Sequence, residues 1–268
     1  MTRPSRQPPA YDGRYRDRLA VVTGASAGLG AQLCLDLARA GATVVGLARS
    51  ADRLEFVSAA LRDLSPASET IVCDVADTDA LRAALARVVE AHGPIDLLIN
   101  NAAQDPGVRL ADITEDDFRH TFDVNFFAPV AATLAVMPSM VQRGTGTIVH
   151  ISSDGGRLPS PGPGAYPSSK AALSAFSEST SFRLGPKGIH VHVVYPAFMA
   201  TALGVSALRR GLRPPPRLTI RTVESVSRTI LARIGESSLE ISASRLIDAA
   251  MVFRQLLPRT YRWGRKGW

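Results

Sequence analysis

Leu19–Gly30 reads LAVVTGASAGLG, a short apolar run that leads through a glycine-rich turn into a stretch with helical periodicity. The apolar run has the length and composition of a buried strand, and glycines allow a tight turn between a strand and a helix. A strand that passes directly into a helix is the first half of a βαβ unit. This stretch therefore predicts a parallel α/β domain.

The rest of the chain repeats the alternation of apolar runs and amphipathic stretches. Continuous apolar strands imply a parallel sheet with helices on both faces, as in a single-domain, doubly wound, Rossmann-like fold. In such folds ligands lie beyond the carboxyl ends of the strands. The predicted strands are about 19–23, 42–47, 69–73, 95–99, 147–151, 189–195 and 239–242, and the predicted helices are about 28–40, 51–64, 77–92, 114–142, 165–184 and 222–235.

Composition and length favour one globular domain. Apolar residues make up 46% of the 268 positions and charged residues 21%, which excludes a disordered or fibrous chain. We expect a disordered N-terminal tail at 1–13, a catalytic domain at 14–257 and a basic C-terminal tail at 258–268. Within the domain, residues 197–217 carry three consecutive prolines and read as an insertion over the ligand edge of the sheet.

The cysteines and the apolar segments indicate a cytoplasmic location. Cys34 and Cys73 do not make a disulfide framework, and no Cys/His cluster has the spacing of a metal site. The N-terminus does not resemble a signal peptide. Phe126–Val141 is the longest uncharged apolar stretch, but it is shorter than a membrane span and contains Pro129 and Pro138. We expect no transmembrane segment and no metal.

Three segments carry the positive charge of the chain, whose net value is +7. Met1–Arg18 contributes +3, Ala197–Arg217 contributes +4 and Ala249–Trp268 contributes +5, so the remainder is mildly acidic. A nucleic-acid-binding protein would place its basic residues on one folded face with stacking aromatic side chains, and the sequence shows no such face. Solvated ends are the simple interpretation. Steering of an anionic substrate, or contact of the C-terminal tail with a membrane surface, is the alternative.

The glycine-rich turn is compatible with two chemistries. Its pattern, TGxxxGxG over Thr23–Gly30, directs backbone N–H groups and a helix N-terminus toward a pyrophosphate. The same residues spell GxSxG around Ser26, the nucleophile-elbow pattern of serine hydrolases. A hydrolase needs an acid and then a histidine later in the chain, whereas the last histidine, His192, alternates with His190 in a predicted strand. A dinucleotide site is the stronger hypothesis.

The end of the second predicted strand bears on which dinucleotide binds. A site for NAD places an acid there against the ribose 2′-hydroxyl, whereas an arginine accommodates the 2′-phosphate of NADP. Here the strand is followed by Arg49 and Ser50, and the first acid is Asp52. Charge-assisted hydrogen bonds from Arg49 and Ser50 to a 2′-phosphate would favour NADP(H) over NAD(H). The alternative is a solvated arginine at the start of a helix.

Tyr166 and Lys170 form a YxxxK pair after a Gly/Pro-rich loop. Their i, i+4 spacing places both side chains on one helical face. An ammonium group beside a phenol lowers the phenol's pKa, so the tyrosine could give a proton to a carbonyl oxygen or take one from an alcohol. Taken alone, the pair is more typical of a solvated helix face.

Together these motifs make the chain resemble the short-chain dehydrogenase/reductase family, in its compact TGxxxGxG/YxxxK branch, over about Arg18–Leu203. The turn Asn100-Asn101-Ala102-Ala103 resembles the family's NNAG turn, and Ser153 stands 13 residues before Tyr166, as the family's catalytic serine does. The resemblance implies hydride transfer between a nicotinamide cofactor and a carbonyl or alcohol.

The resemblance also assigns roles to four catalytic residues. Ser153 would stabilise charge on the carbonyl oxygen, and Tyr166 would donate the proton. Lys170 would hold the nicotinamide ribose and lower the Tyr166 pKa, while Asn125 would hold a water that links Lys170 to solvent. The implied cofactor-binding residues are Gly24, Ser26, Gly28, Leu29, Gly30, Arg49, Ser50, Asp74, Val75, Asn101, Ala102, Tyr166, Lys170, Pro196 and Thr201.

Two departures from the family pattern concern glycines. Ala103 ends the NNAG-like turn, and Ala197 follows Pro196 where the family has glycine. An alanine at either position is strained if its φ is positive. Substrate choice is expected from Leu158–Pro163 and Ala197–Arg217, whose apolar residues and arginines fit a hydrophobic ketone or a ketoacyl chain on a phosphorylated carrier.

The resemblance further implies assembly, because the family usually dimerises through the helices that correspond to Phe126–Val141 and to the Tyr166 helix. A homodimer or homotetramer is therefore expected, with packing inside one chain as the alternative. A non-catalytic NADP-binding regulator on the same fold is the alternative function. Such proteins should lose the tyrosine/lysine pair, and this chain keeps it.

Overall fold

Seven parallel strands form the central sheet of this computed structural model, which describes residues 13–108, 110–159, 164–209 and 216–265. The strands of the chain are β1 (Leu19–Thr23), β2 (Thr43–Ala48), β3 (Glu69–Val72), β4 (Leu97–Asn100), β5 (Gly146–Ile151), β6 (Ile189–Tyr195), β7 (Phe198–Met199), β8 (Ile220–Arg221) and β9 (Glu240–Ser242). The sheet order is β3-β2-β1-β4-β5-β6-β9, and β7 pairs with β8 separately. The doubly wound, Rossmann-like prediction is confirmed.

Helices cover both faces of the sheet, which explains why its strands are almost continuously apolar. The helices are α1 (Gly28–Arg39), α2 (Ala51–Leu64), α3 (Thr78–His92), α4 (Glu115–Phe122), α5 (Ala128–Arg143), α6 (Asp154–Arg157), α7 (Ala165–Leu184), α8 (Ala202–Arg209), α9 (Val223–Arg233), α10 (Arg245–Leu256) and α11 (Pro258–Arg265). Buried residues of α1, α2 and α9 belong to one apolar core, and those of α3 and α5 belong to a second core across the sheet.

The strand order reverses between β1 and β4, which are neighbours in the sheet although two other strands separate them in the chain. Ligands of open α/β sheets bind in the crevice at such a switch point, outside the carboxyl ends of the strands. The glycine-rich turn follows β1, and the Asn100–Ala103 turn begins at the end of β4. Both turns therefore lie at the expected crevice.

The long helix predicted from Thr114 contains a π-helical turn at Asp123–Phe127, between α4 and α5. Its start is as expected: Thr114 accepts a hydrogen bond from the backbone of Asp117, whose carboxylate accepts one from the Thr114 backbone. A π turn inserts one extra residue into a helix and is frequent at functional sites. This turn carries Asn125, whose side chain is fully buried.

Over the described residues, one helical run, Glu115–Arg143, is long and apolar enough to cross a membrane, by length and composition alone. Half of its most apolar window is buried inside the protein, and core helices of soluble proteins meet the same criteria. The absence of a transmembrane segment remains a prediction.

Several elements were not predicted. The short helix α6, the β7–β8 pair and α8 lie in segments that we interpreted as loops, and α10 and α11 follow the last predicted strand. The tail predicted at 258–268 is helical as far as Arg265. Residues 1–12 and 266–268, which hold most of one predicted tail and the end of the other, lie outside the described residues.

Candidate active site

Three glycines of the turn after β1 are required by close contacts. Gly24 has a φ of +69°, and a Cβ there would lie 2.8 Å from the Cα atom of Ala102. Gly28 has a φ of +55° and faces the Thr201 methyl group. A Cβ on Gly30 would lie 2.2 Å from the Gly24 carbonyl oxygen. Any side chain at these positions would open the turn.

Asn101 holds this turn in place. Its Nδ2 atom donates hydrogen bonds to the carbonyl oxygens of Thr23 at 2.9 Å and Gly24 at 3.4 Å. The Thr23 hydroxyl oxygen in turn accepts from the backbone N–H groups of Asn101 and Ala102, both at 3.0 Å. Asn101 and Ala102 were predicted as cofactor contacts, and the structure gives both a role in joining the ends of β1 and β4.

The turn leaves the N-terminus of α1 open toward the crevice. No side chain caps this helix: Ala27 occupies the cap position, and the first turn carries no acidic residue. Uncapped N–H groups at a helix N-terminus attract anions. Leu29 is buried under the helix start, whereas Ser26 is partly exposed in the turn.

No histidine forms a hydrogen bond with Ser26, although all five histidines lie in the described residues. His92 pairs with Glu69, and His150 contacts Asn100. His192 bonds the backbone around residues 235–238, and the His190 ring stacks on it. A serine nucleophile at Ser26 would have no general base, which removes the support for the hydrolase alternative.

The ends of β2 and β3 present charged side chains beside the turn. Arg49 is exposed, and the Ser50 hydroxyl oxygen accepts a hydrogen bond from Arg53 Nε at 3.1 Å. Asp74, also exposed, accepts from the Ala76 backbone N–H at 3.0 Å, and Val75 is buried. Arg53 adds a second guanidinium near the predicted 2′-phosphate position, a residue that sequence analysis missed.

Ser153, Tyr166 and Lys170 come together at the end of β5. The Ser153 side chain caps α6 by accepting from the Gly155 backbone N–H at 3.1 Å, and it also hydrogen-bonds the Tyr166 side chain. Lys170 is 1% exposed, and its Nζ atom donates to the Ile151 carbonyl oxygen at 2.8 Å. The structure thus unites three of the four predicted catalytic residues.

Gly156 permits the close packing that brings Ser153 to Tyr166. A Cβ at Gly156 would lie 2.9 Å from the Ala171 nitrogen, so α6 rests directly on the backbone of α7. Any larger residue would push α6, and the serine before it, away from the tyrosine.

The protonation of this group differs from the sequence-based expectation. Burial raises the pKa of Tyr166 to about 12, the Ser153 hydrogen bond lowers it, and the charges of Asp105 and Asp154 raise it. Burial also lowers the pKa of Lys170 to about 7. The Lys170 Nζ atom donates to the Ile151 carbonyl oxygen and lies 5.9 Å from the centre of the Tyr166 ring. The predicted lowering of the Tyr166 pKa by Lys170 stays a prediction.

Asn125 anchors the segment after β4 and does not hydrogen-bond Lys170. Its Oδ1 atom accepts from the Gln104 N–H at 2.8 Å, and its Nδ2 atom donates to the Gln104 carbonyl oxygen at 2.8 Å. Nδ2 also donates to the Ser169 hydroxyl at 3.0 Å. The side chain therefore joins the π turn to the residue next to Lys170 in α7. Its predicted role in a water relay stays a prediction.

Arg157 is the main residue near the site that sequence analysis missed. Its guanidinium is 7% exposed, lies 3.6 Å from the centre of the Tyr195 ring, and pairs with Asp154 at 3.1 Å. It also pairs with Glu240 at 3.3 Å and Asp248 at 3.0 Å. Only the Asp154 pair has a local sequence signal, an i, i+3 spacing. The network fixes α6, directly after Ser153, against β9 and α10.

The two alanines that replace family glycines differ in conformation. Ala197 has a φ of +48°, in the left-handed region, whereas Ala103 does not have a positive φ. The expected strain is thus present only at Ala197. Pro196, the residue before Ala197, is buried. At the start of α8, the Thr201 hydroxyl oxygen accepts a hydrogen bond from the Gly204 N–H at 3.4 Å.

The predicted substrate segments are described in part. Phe198, Met199 and Leu203 are partly exposed beside the crevice. Ser160–Pro163 and residues 210–215, with Arg210 and Arg213, lie outside the described residues.

Comparisons with known proteins agree with this geometry. A sequence profile of short chain dehydrogenases matches residues 18–210. Dehydrogenase/reductase SDR family member 7B of Rattus norvegicus is 32% identical over 258 residues, which is 92% of this chain and 79% of that protein. A solved short-chain dehydrogenase from Streptomyces avermitilis aligns with a TM-score of 0.79 and 28% identity, over 91% of this chain and 94% of that chain. A metagenomic short-chain oxidoreductase in complex with NADP aligns with a TM-score of 0.71 and 27% identity, over 86% and 97%.

Proposed function

The chain belongs to the short-chain dehydrogenase family, and we propose that it interconverts a ketone or aldehyde with an alcohol, using NADP(H) in preference to NAD(H). The observation that carries this proposal is the meeting of Ser153 and Tyr166 above the buried Lys170, next to the glycine-rich turn. A hydroxyl pair at the open edge of the sheet is suited to polarise and protonate one carbonyl oxygen.

The residues at the sheet edge fit a dinucleotide. From β3 to β1 the chain offers an exposed carboxylate at Asp74, an exposed cation at Arg49 and an uncapped helix N-terminus after Gly28. These are suited to an adenine amino group, a 2′-phosphate and a pyrophosphate. Lys170 would hold the nicotinamide ribose. When bound, the cofactor would supply or accept the hydride.

In the reductive direction, Tyr166 starts in the required protonation state. With its pKa raised to about 12, the phenol keeps its proton at neutral pH and can give it to the carbonyl oxygen. The Ser153 hydroxyl would donate a second hydrogen bond to that oxygen and stabilise its developing charge. Lys170, with its pKa lowered to about 7, can exchange a proton near neutral pH and is suited to reload the tyrosine.

Arg49 supports the preference for NADP(H). No acid stands at the end of β2 to bind a ribose 2′-hydroxyl, and Arg53 adds a guanidinium on the first turn of α2. The metagenomic oxidoreductase that aligns at 27% identity was solved in complex with NADP.

Exposed apolar residues support the proposed substrate class and the proposed oligomer. Phe198, Met199 and Leu203 favour a hydrophobic carbonyl substrate, such as a ketoacyl or lipid-like ketone. Phe127 at the end of the π turn, Leu134 of α5 and Phe182 of α7 are exposed, which supports a homodimer or homotetramer formed through these helices. Both cysteines are free and buried, in keeping with a cytoplasmic location.

The test is a panel of ketones and aldehydes assayed with NADPH for wild type, Tyr166→Phe and the control Tyr15→Phe. Tyr15 donates to the Leu231 carbonyl oxygen and lies outside the candidate site. We expect Tyr166→Phe to lower kcat by about 10²- to 10⁴-fold without loss of NADPH binding. Tyr15→Phe should keep the kcat of wild type. Equal turnover by Tyr166→Phe would contradict the mechanism. NADPH binding without turnover of any carbonyl would favour the non-catalytic regulator.

A further inference from the structure

The outward face of α10 is apolar, although it is exposed. Leu246, Val252, Phe253 and Leu256 are 51%, 53%, 43% and 73% exposed, and Ala249 lies among them. Their spacing places them on one side of the helix. A helix at the surface of a soluble domain would carry polar residues there. A contiguous exposed patch of this kind marks an interaction surface.

Polar contacts attach the inner side of α10 to the rest of the molecule. No residue of α10 is fully buried. On its inner side, Asp248 pairs with Arg157, and Arg254 donates a hydrogen bond to the Arg157 carbonyl oxygen. These contacts fix the orientation of the helix, so its apolar face points outward in a defined direction.

The sequence of α10 and α11 carries more basic than acidic residues. Arg245 is exposed at the start of α10, and Arg259 is exposed in α11. From Ala249 to the end, the sequence carries five basic residues and no acid. The acid of α10 itself, Asp248, faces Arg157. If two copies met through this face, they would bring like charges together, whereas an anionic surface would neutralise them.

We propose that α10 and α11 form a docking surface for an anionic lipid bilayer, beyond the proposed reaction. The apolar side chains would enter the boundary between headgroups and acyl chains, and the arginines would contact lipid phosphates. The surface lies beside the active site, because Arg157 links Asp248 to Asp154, which follows Ser153. Docking would therefore keep the reactive segment close to the lipid.

The test is co-sedimentation of the full chain with vesicles of phosphatidylcholine alone or with phosphatidylglycerol. We expect binding only to the anionic vesicles, and a decrease as salt rises from about 0.05 to 0.5 M. The double variant Phe253→Gln/Leu256→Gln should bind at least about tenfold more weakly. Its matched control is Phe56→Gln/Leu64→Gln, which removes an exposed phenylalanine and leucine from α2.

A second pair of variants tests the charges. Arg245→Gln/Arg259→Gln should weaken binding to anionic vesicles about tenfold, whereas Arg62→Gln/Arg87→Gln, at exposed sites of α2 and α3, should not. Light scattering of each variant reports its oligomeric mass.

The proposal is overturned by absence of binding at low salt, by equal binding to neutral vesicles, or by α10 and α11 variants that bind like wild type. It is also overturned if the double α10 variant lowers the oligomeric mass while vesicle binding persists, since the face then joins two copies. None of these readouts requires turnover, so the proposal can fail while the proposed function stands.

Discussion

Lys170 lies one helical turn from Tyr166, with its Nζ atom 5.9 Å from the centre of the tyrosine ring. That atom donates its hydrogen bond to the Ile151 carbonyl oxygen, and burial lowers the pKa of the amine to about 7. The pair thus combines a phenol that holds its proton with an amine that exchanges one near neutral pH. This arrangement suits a proton relay better than a permanently charged lysine would.

The Lys170 pKa predicts a pH dependence of stability. The unfolded lysine has a pKa near 10.5 and the folded one about 7, so between these values the unfolded chain binds more protons. The free energy of unfolding therefore rises with pH across this window, and it falls as the pH decreases toward 7. Lys170→Met should remove up to about 1.4 kcal/mol of this rise per pH unit.

The measurement is urea unfolding of wild type and Lys170→Met between pH 7 and 9. Above that range the thiol of Cys34 has the opposite effect, because burial raises its pKa from 9.0 to about 12. Its ionisation in the unfolded chain lowers the free energy of unfolding as the pH rises. If the free energy of unfolding changes with pH equally in the two proteins, Lys170 keeps an ordinary pKa in the folded state.

Asn125 is predicted to hold the Gln104 segment through both of its amide atoms. In Asn125→Asp the carboxylate would still accept from the Gln104 N–H, but it would face the Gln104 carbonyl oxygen without a proton to donate. Each lost or unpaired buried hydrogen bond costs about 1–3 kcal/mol. Both Asn125→Asp and Asn125→Ala should therefore unfold at lower urea, with reduced kcat. Wild-type stability in Asn125→Asp would contradict the assigned hydrogen bonds.

Ala197 offers a prediction of increased stability. Its φ of +48° costs an L-residue about 1 kcal/mol, which glycine avoids. Ala197→Gly should raise the free energy of unfolding by up to about that amount. Ala103→Gly is the control: without a positive φ, it should leave stability unchanged or lower it. Urea unfolding of both variants distinguishes the two alanines. A higher free energy of unfolding in Ala103→Gly alone would refute the assignment of strain to Ala197.

Arg157 should be essential for stability near the site. Removing its charge would leave the carboxylate of Asp154, which is 19% exposed, without a partner. Breaking a buried ion pair on one side costs about 3–5 kcal/mol. We expect Arg157→Met to lose about this much and to lower kcat by displacing Ser153, with Arg157→Lys intermediate because it lacks the planar fork. Unchanged urea unfolding of Arg157→Met would show that the network is dispensable.

Local pattern was sufficient for most of the sheet and its helices. The predicted bounds of α7, at 165–184, coincide with the observed Ala165–Leu184, and Thr114 caps the start of α4 as expected. These elements are encoded by neighbouring residues: apolar periodicity, caps and glycines that break a helix. The resemblance to the short-chain dehydrogenase/reductase family, and not a local pattern, implied that Ser153 and Tyr166 meet.

Contacts between distant residues could not be predicted. Arg157 pairs with Glu240 and Asp248, which are 83 and 91 residues away in the chain. No local sequence pattern predicts these two ion pairs. The pKa of Lys170 depends on its burial against β5, which the i, i+4 spacing does not specify.

The most direct test of the central claim is a fluorescence titration of NADPH and NADH against wild type, Arg49→Ala and the control Arg62→Ala. We expect tighter binding of NADPH than of NADH. Arg49→Ala should weaken NADPH binding about 10- to 100-fold and leave NADH binding unchanged, since only NADPH carries the 2′-phosphate. Arg62→Ala, on the exposed side of α2, should bind both as wild type does. Tighter binding of NADH would contradict the proposed preference for NADP(H), and binding of neither cofactor by the folded protein would contradict the proposed dinucleotide site.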